Sequence, residues 1–175
     1  MLKDFTKEKF DVIIQAGQSN AEGYGFGSTN SPFENDGRVW ALNANDTISL
    51  AAETVAVNSP RTDFSLSFAR EYLKSGRLKE GRKLLIIRAA VGGTGFLDGH
   101  WGPEDDLRLK MHDMIKTALT LNAENRLVAL LWHQGEQDAV QNASFETHYG
   151  HLMTLVNDVR TAFSAPSLLY CRRFR

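Results

Sequence analysis

Four short apolar runs limit the possible folds of this 175-residue chain more than its other features do. They cover residues 11–16, 38–43, 83–91 and 126–133, and glycine follows three of them within two residues. Nearly continuous apolar runs are typical of strands that are covered on both faces, as in parallel sheets. The chain is therefore predicted to form a mostly parallel sheet whose strands end in sharp turns.

Helical patterns alternate with these runs. Helices are predicted over residues 63–76, 104–121 and 144–163, where apolar side chains recur at three-and-four spacing. Strands that alternate with helices predict an α/β domain. Two polar stretches rich in Gly, Ser and Asn, residues 21–37 and 45–60, are predicted to be long loops at one edge of it.

The composition indicates one soluble globular domain over residues 1–175. Basic residues number 20 and acidic residues 21, so no net charge would attract nucleic acid or anionic lipid, and a neutral or small partner is expected. The single cysteine, Cys171, excludes an internal disulfide, and we find no export signal or spanning segment. These features favour the cytoplasm and leave the oligomeric state open.

The first run leads into the sequence GQSN, which places Ser19 at the carboxyl end of a buried strand. Open α/β sheets bind their ligands at this edge. A serine there can act as a nucleophile, and its own N–H can help to stabilise an oxyanion. The competing interpretation is that Ser19 only caps the following helix.

The third run ends in the sequence GGTG, residues 92–95. Glycine lets a backbone N–H approach a reacting oxygen closely, so this segment can supply a second oxyanion donor. An ordinary loop with positive φ is the alternative, and a phosphate cradle is a poor one because no Gly-Lys-Ser/Thr ending follows.

The fourth run ends in WHQGEQD, residues 132–138, a dense group of polar side chains after buried positions. Buried polar groups are usually hydrogen-bonded or functional. His133, Glu136 and Asp138 do not match the spacing of common metal motifs, so a hydrogen-bonded loop is favoured over a metal site.

Together the blocks QAGQSNAEG, GGT and WHQGEQD, in this order, resemble those of the SGNH-hydrolase superfamily. The similarity is to the branch of sialate O-acetylesterases and acetyl xylan esterases of carbohydrate esterase family six. It covers residues 11–163 and implies a three-layer flavodoxin-like fold, hydrolysis of acetyl esters on sugars through an acetyl-enzyme, and no metal or organic cofactor.

The resemblance also implies roles for individual residues. Ser19 would be the nucleophile, and Glu136 the acid that orients the catalytic histidine. The oxyanion hole would comprise the N–H groups of Ser19 and of Gly93 or a neighbouring glycine, together with Gln134. The candidates for contacts with the substrate, an acetylated sugar or oligosaccharide, are Gln18, Asn20, His100 and Trp101.

One block of the family is not found. Its catalytic histidine lies in a late Asp-x-x-His block, and no Asp in this sequence has a histidine three residues later. A last strand is predicted over residues 167–171, and the tail is expected to be truncated or altered. His100 is a candidate substitute base, whereas His112, His148 and His151 are predicted to be surface or packing residues. The alternative function is therefore an inactive remnant or sugar-binding protein of the same fold.

Overall fold

The computed structural model describes residues 4–26, 33–56, 59–166 and 168–172. A short 3₁₀ turn, Phe5–Lys7, precedes the first strand. The helices and longer strands agree with the predicted ones to within a few residues. In chain order the elements are β1 (Lys9–Gly17), α1 (Ser19–Glu22), β2 (Gly25–Phe26), β3 (Val39–Leu42), β4 (Ile48–Leu50), β5 (Thr54–Ala56), β6 (Ser59–Thr62), α2 (Phe64–Lys74), β7 (Arg82–Arg88), α3 (Asp106–Thr120), β8 (Arg126–His133), α4 (Glu136–Val140), α5 (Phe145–Ala162) and β9 (Leu169–Arg172).

The main sheet has six strands in the order β4-β3-β7-β1-β8-β9. Every neighbouring pair is parallel except β3 and β4. If β3 is left out and the other parallel strands are numbered in chain order, β7-β1-β8-β9 have the 2-1-3-4 order of a flavodoxin-like sheet. The strand β3 extends the sheet beside β7. The predicted mostly parallel α/β sheet is confirmed.

The helices cover both faces of this sheet, which gives three layers. On one face Leu66 and Ala69 of α2 pack on Ile13, Leu84 and neighbouring strand residues. On the other face α3 and α5 pack on a larger core that includes Val12, Ile14, Leu85 and Leu130. Alternate residues of β1 therefore pack on opposite faces of the sheet. Its three central residues, 12–14, are all apolar because both faces are buried.

Polar caps fix the ends of two predicted helices. Asp63 Oδ1 accepts hydrogen bonds from Ser65 N and Leu66 N at the start of α2, at 2.9 and 3.1 Å. Ser144 Oγ accepts one from Thr147 N at the start of α5. These bonds satisfy amides that have no partner inside the helix.

The two predicted loops are wrong in part, because they contain four short strands. β4 pairs antiparallel with β3, and β2, β6 and β5 form a separate three-stranded sheet. Strands of two to four residues are too short to produce a detectable periodicity, but their backbone groups still gain partners by pairing.

The carboxyl ends of β7, β1 and β8 lie side by side, and this places the three sequence blocks together. Gly17 is in register with His133, and Gly17 O accepts a hydrogen bond from Val91 N at 3.0 Å. A Cβ at position 17, which has φ +125°, would collide with the His133 carbonyl. The glycine thus lets two strand ends approach closely at the edge where α/β folds bind ligands. In the described part of the chain no helix is long and apolar enough to cross a membrane.

Candidate active site

Ser19 is the first residue of α1 and is half-buried at the end of β1. The carbonyl of Gln18 accepts hydrogen bonds from the amides of Ala21 and Glu22. Among the described residues, neither the N–H of Ser19 nor its Oγ makes a hydrogen bond. The hydroxyl and the amide of this residue are therefore both available to a ligand.

The glycine block lies against Ser19. A Cβ at position 92 would lie 3.6 Å from Ser19 Cβ, and Gly92 N donates to Glu22 Oε2 at 2.8 Å. Gly93 has φ +74° and is exposed. Its N–H makes no hydrogen bond within the described residues, and it follows directly on the glycine that lies against Ser19.

The third block brings a carboxylate and an amide to the same edge. Glu136 Oε1 accepts a hydrogen bond from Asn20 Nδ2 at 2.6 Å and lies 3.7 Å from His133 Nε2. Gln134 is only 3% exposed, and neither atom of its carboxamide has good hydrogen-bond geometry to any described partner. The carboxamide is near enough to the Asp138 carboxylate to help lower the pKa of Asp138, so the fold gives it a charged neighbour.

A cleft of about 600 Å³ opens at this edge. Asn20 lines it from the first block, whereas Ser19 and Gly93 are not among its lining residues. The remaining walls come from the third block and the start of α5. The lining includes Asn20, His133, Gln134, Gly135, Glu136, Asp138, Ser144, Phe145 and His148.

A buried carboxylate–imidazole pair forms the floor between α4 and α5. His148 Nδ1 lies 2.9 Å from Asp138 Oδ2, and both side chains are almost fully buried. Burial raises the pKa of Asp138, but the hydrogen bonds from His148 and from the Leu97 amide outweigh it and hold the pKa below its ordinary value. The expectation that His148 is a packing residue agrees with its burial. Its position on the cleft was not predicted, although its spacing from Leu152 and Leu155 places it on the buried face of α5.

Comparison with known proteins identifies the family. The sequence model of a family described as "Carbohydrate esterase, sialic acid-specific acetylesterase" matches residues 9–172. The chain belongs to this family. The predicted SGNH-type esterase family is thereby confirmed. No curated protein gives a significant sequence match.

Solved structures share the fold of this chain. NanS is 20% identical with a TM-score of 0.74, and the match covers 90% of this chain and 63% of NanS. A protein from Arabidopsis thaliana is 19% identical with a TM-score of 0.73, covering 93% of this chain and 73% of the other. A carbohydrate acetylesterase from Xanthomonas citri is 16% identical with a TM-score of 0.53, covering 93% and 40%. The chain therefore spans less than two thirds of the NanS chain.

Two of the predicted substrate contacts, Trp101 and Gln18, are buried in the structure. Trp101 is completely buried, donates from Nε1 to Thr94 Oγ1 at 2.9 Å, and packs edge to face on Trp132. Gln18 is also buried, and its Oε1 accepts a hydrogen bond from Gln137 N. Both side chains therefore join segments of the fold.

The other two predicted contacts are differently placed. Asn20 lines the cleft and donates to Glu136. His100 is partly exposed, and its Nδ1 lies 3.0 Å from Asp106 Oδ1. The hydrogen bond to Asp106 raises the pKa of His100, which leaves less of its neutral, proton-accepting form at neutral pH. His100 is not one of the residues that line the cleft.

The polar groups of the third block serve separate partners. Glu136 interacts with Asn20 and His133, whereas Asp138 interacts with backbone amides and His148. Among the described residues, no group of three or more His, Cys, Asp or Glu side chains has the arrangement of a metal site. The carboxyl edge of the sheet therefore brings a serine hydroxyl, backbone N–H groups and a carboxylate together, next to a cleft lined by Asn20, Gln134 and Glu136.

Proposed function

We propose that this carbohydrate esterase hydrolyses acetyl esters on sugars through an acetyl-enzyme on Ser19. The proposal is carried by two backbone N–H groups, of Ser19 and Gly93, that make no hydrogen bond in the described structure, in two turns that come close where a Cβ at Gly92 would lie 3.6 Å from Ser19 Cβ. Two such donors next to a hydroxyl constitute the minimal arrangement that stabilises the tetrahedral intermediate of acyl transfer.

The proposed reaction has two steps. Ser19 Oγ attacks the acetyl carbonyl, its proton passes to a base, and the ester C–O bond breaks so that the sugar hydroxyl leaves with a proton. Water then attacks the acetyl-Ser19 ester, which releases acetate and restores the hydroxyl. In both steps the negative oxygen would accept hydrogen bonds from Ser19 N, Gly93 N and the carboxamide of Gln134.

The mechanism requires a base that accepts the proton of Ser19 Oγ. Glu136 would orient an imidazole, since it faces the cleft and already holds Asn20. Of the described histidines, His133 and His148 line the cleft, and His133 Nε2 is the one near Glu136, at 3.7 Å. His133 therefore comes before His100 in the order in which these bases would be replaced.

The start of α5 offers a surface for the sugar. Phe145 lines the cleft, is 58% exposed, and stacks on Tyr149 with ring centroids 5.8 Å apart. Aromatic faces beside polar side chains suit a sugar ring, which has both C–H and hydroxyl groups. We assign to Phe145 the sugar contact that was expected of Trp101.

One observation favours a second function, binding of acetylated sugar without turnover. No described histidine is hydrogen-bonded to Ser19 Oγ. A serine hydroxyl without a base is a poor nucleophile, and loss of a triad base reduces turnover about a million-fold.

Hydrolysis of an aryl acetate with and without added imidazole separates the two functions. Wild type and Ser19→Ala are compared in each condition, and the rate of Ser19→Ala is subtracted because imidazole itself cleaves aryl acetates. Hydrolysis without imidazole that depends on Ser19 supports the esterase with its own base, and His133→Gln is then the first variant to make. Hydrolysis that depends on Ser19 only when imidazole is present supports the binding protein. Equal rates for wild type and Ser19→Ala in both conditions contradict the role of Ser19.

A further inference from the structure

Asp138 joins three separate segments at the edge of the cleft. Its Oδ1 accepts hydrogen bonds from Phe96 N and Leu97 N, at 2.8 and 3.1 Å, in the loop that follows β7. Its Oδ2 faces His148 Nδ1 on α5 at 2.9 Å. The side chain is 1% exposed, so water does not compete for these bonds.

These bonds hold the residues that follow the glycine block, and they act together with two bonds inside it, from Gly95 N to Asp98 Oδ1 at 2.8 Å and from Trp101 Nε1 to Thr94 Oγ1 at 2.9 Å. The near end is held by Val91 N on Gly17 O and by Gly92 N on Glu22 Oε2. Gly93 lies between the two anchored ends and has no bond of its own among the described residues. The direction of its N–H therefore depends on where both ends are held.

The packing around Asp138 leaves the loop little choice of path. A Cβ at position 95 would collide with Asp138 Oδ1 and would lie 3.1 Å from Gln134 Nε2. The loop backbone, the Gln134 carboxamide and the Asp138 carboxylate are thus in direct contact. A change at Asp138 would shift the loop and Gln134 together.

We infer that Asp138 is a positioning residue, which holds the Gly93 N–H and the Gln134 carboxamide in the places that the oxyanion requires. The effect on catalysis rests on the proposed function. The hydrogen bonds of Asp138 to the loop amides can be measured without any activity. Asp138 touches no reacting atom, so its loss acts through the glycine loop.

The charge and shape of the carboxylate predict a graded response. Asp138→Ala removes all three bonds. Asp138→Asn keeps an oxygen for the two loop amides and turns an NH₂ group toward His148 Nδ1, which can accept a bond once the ring proton moves to Nε2. The conservative variant is therefore expected to keep the loop in place.

The test compares the two Asp138 variants with wild type and with Asp11→Asn. Asp11 is an equally buried carboxylate at the opposite end of β1, so its substitution controls for loss of stability without contact with the cleft. The measurements are kcat and KM for an aryl acetate, in the imidazole condition if activity requires it, and amide hydrogen exchange of Phe96 and Leu97.

Asp138→Ala is expected to lower kcat about 100-fold, as for loss of one oxyanion donor, with KM changed less than about threefold. Exchange at Phe96 and Leu97 should accelerate, Asp138→Asn should recover most of both properties, and Asp11→Asn should keep the wild-type kcat below its unfolding temperature. An unchanged kcat for Asp138→Ala, or an equal loss in Asp11→Asn, overturns the inference.

Failure of the proposed function gives a different result. If wild type and Ser19→Ala hydrolyse the ester equally, the function of Ser19 fails, and hydrogen exchange then decides the role of Asp138. Slow exchange at Phe96 and Leu97 in wild type and fast exchange in Asp138→Ala still supports the positioning role. Equal exchange in the two proteins contradicts it.

Discussion

Asp11→Asn is expected to destabilise the fold strongly, because Asp11 is the centre of a buried ion network at the amino end of the sheet. Its Oδ1 accepts from Arg82 Nε and Arg126 Nε, both at 2.7 Å, and its Oδ2 accepts from Tyr72 Oη at 2.8 Å. The carboxylate is completely buried. The Asn variant keeps the volume but loses the charge that the two guanidinium groups face.

The expected loss of free energy of unfolding is about 3 kcal/mol at neutral pH. Breaking a buried pair by removing one partner costs about 3–5 kcal/mol, and we take the lower end because Arg126 is nearly half exposed and can regain water. With a urea slope of about 2 kcal/mol per M, the unfolding midpoint should fall by about 1.5 M. Glu71→Gln, which breaks the exposed pair with Lys74, is the control, and its expected loss is below about 0.5 kcal/mol.

The effect should also depend on pH. Burial alone raises the pKa of Asp11, but the hydrogen bonds from Arg126, Tyr72 and Arg82 outweigh it and hold the pKa below its ordinary value. A carboxyl group with a lowered pKa in the folded state stabilises above its unfolded pKa of about 3.9, and the stabilisation is lost as the pH falls below that value. The difference between wild type and Asp11→Asn should therefore shrink in acid.

Urea unfolding followed by tryptophan fluorescence, at pH 7 and at successively lower pH, measures both effects. A loss below about 1 kcal/mol at pH 7 would show that the network contributes little beyond its desolvation cost. A loss that stays constant into acid would show that the charge of Asp11 is not the cause. Either result would contradict the stabilising role assigned to this carboxylate.

Three further predictions concern the cleft. Gly93→Ala should lower kcat about tenfold and leave KM at the wild-type value. An L-residue at φ +74° is strained by about 1–2 kcal/mol, and relief of this strain would turn the N–H away from the oxyanion. Steady-state kinetics check this, and an unchanged kcat counts against the donor role. Gln134→Leu should lower kcat about 100-fold, because it removes the carboxamide that we propose donates to the oxyanion; the same kinetics check this, and a wild-type kcat would count against that role. Phe145→Ala should raise KM for an acetylated sugar but not for a small aryl acetate. The stability should change little, because the ring is mostly exposed. Equal effects on the KM of both substrates would exclude a sugar contact.

The main elements were predictable because each has a strong local signal. The run at residues 126–133 coincides with β8, and the capping residues Asp63 and Ser144 mark the starts of α2 and α5. Gly17, the last residue of β1, was recognisable because the strand ends there in a sharp turn. The short strands β4 and β5 were missed because three residues carry no periodicity.

The candidate site was predictable only as far as its strand ends. Ser19, Gly93 and Glu136 follow neighbouring parallel strands, so the topology places all three at the same edge of the sheet. The burial of Trp101 was not predictable, because an aromatic residue beside a polar loop suits either a core or a sugar contact. The Asp138–His148 pair depends on how α5 is rotated against α4, which sequence spacing does not fix.

The proposed function depends on Ser19 carrying the acetyl group, and peptide mass spectrometry of the acid-quenched protein detects that group. The chain is mixed with an aryl acetate, with and without imidazole, quenched after a few seconds and digested. We expect one added acetyl group on the peptide that contains Ser19, and none on that peptide in Ser19→Ala. Ester hydrolysis by wild type with no acetyl group on Ser19, together with equal hydrolysis by Ser19→Ala, would contradict the proposal.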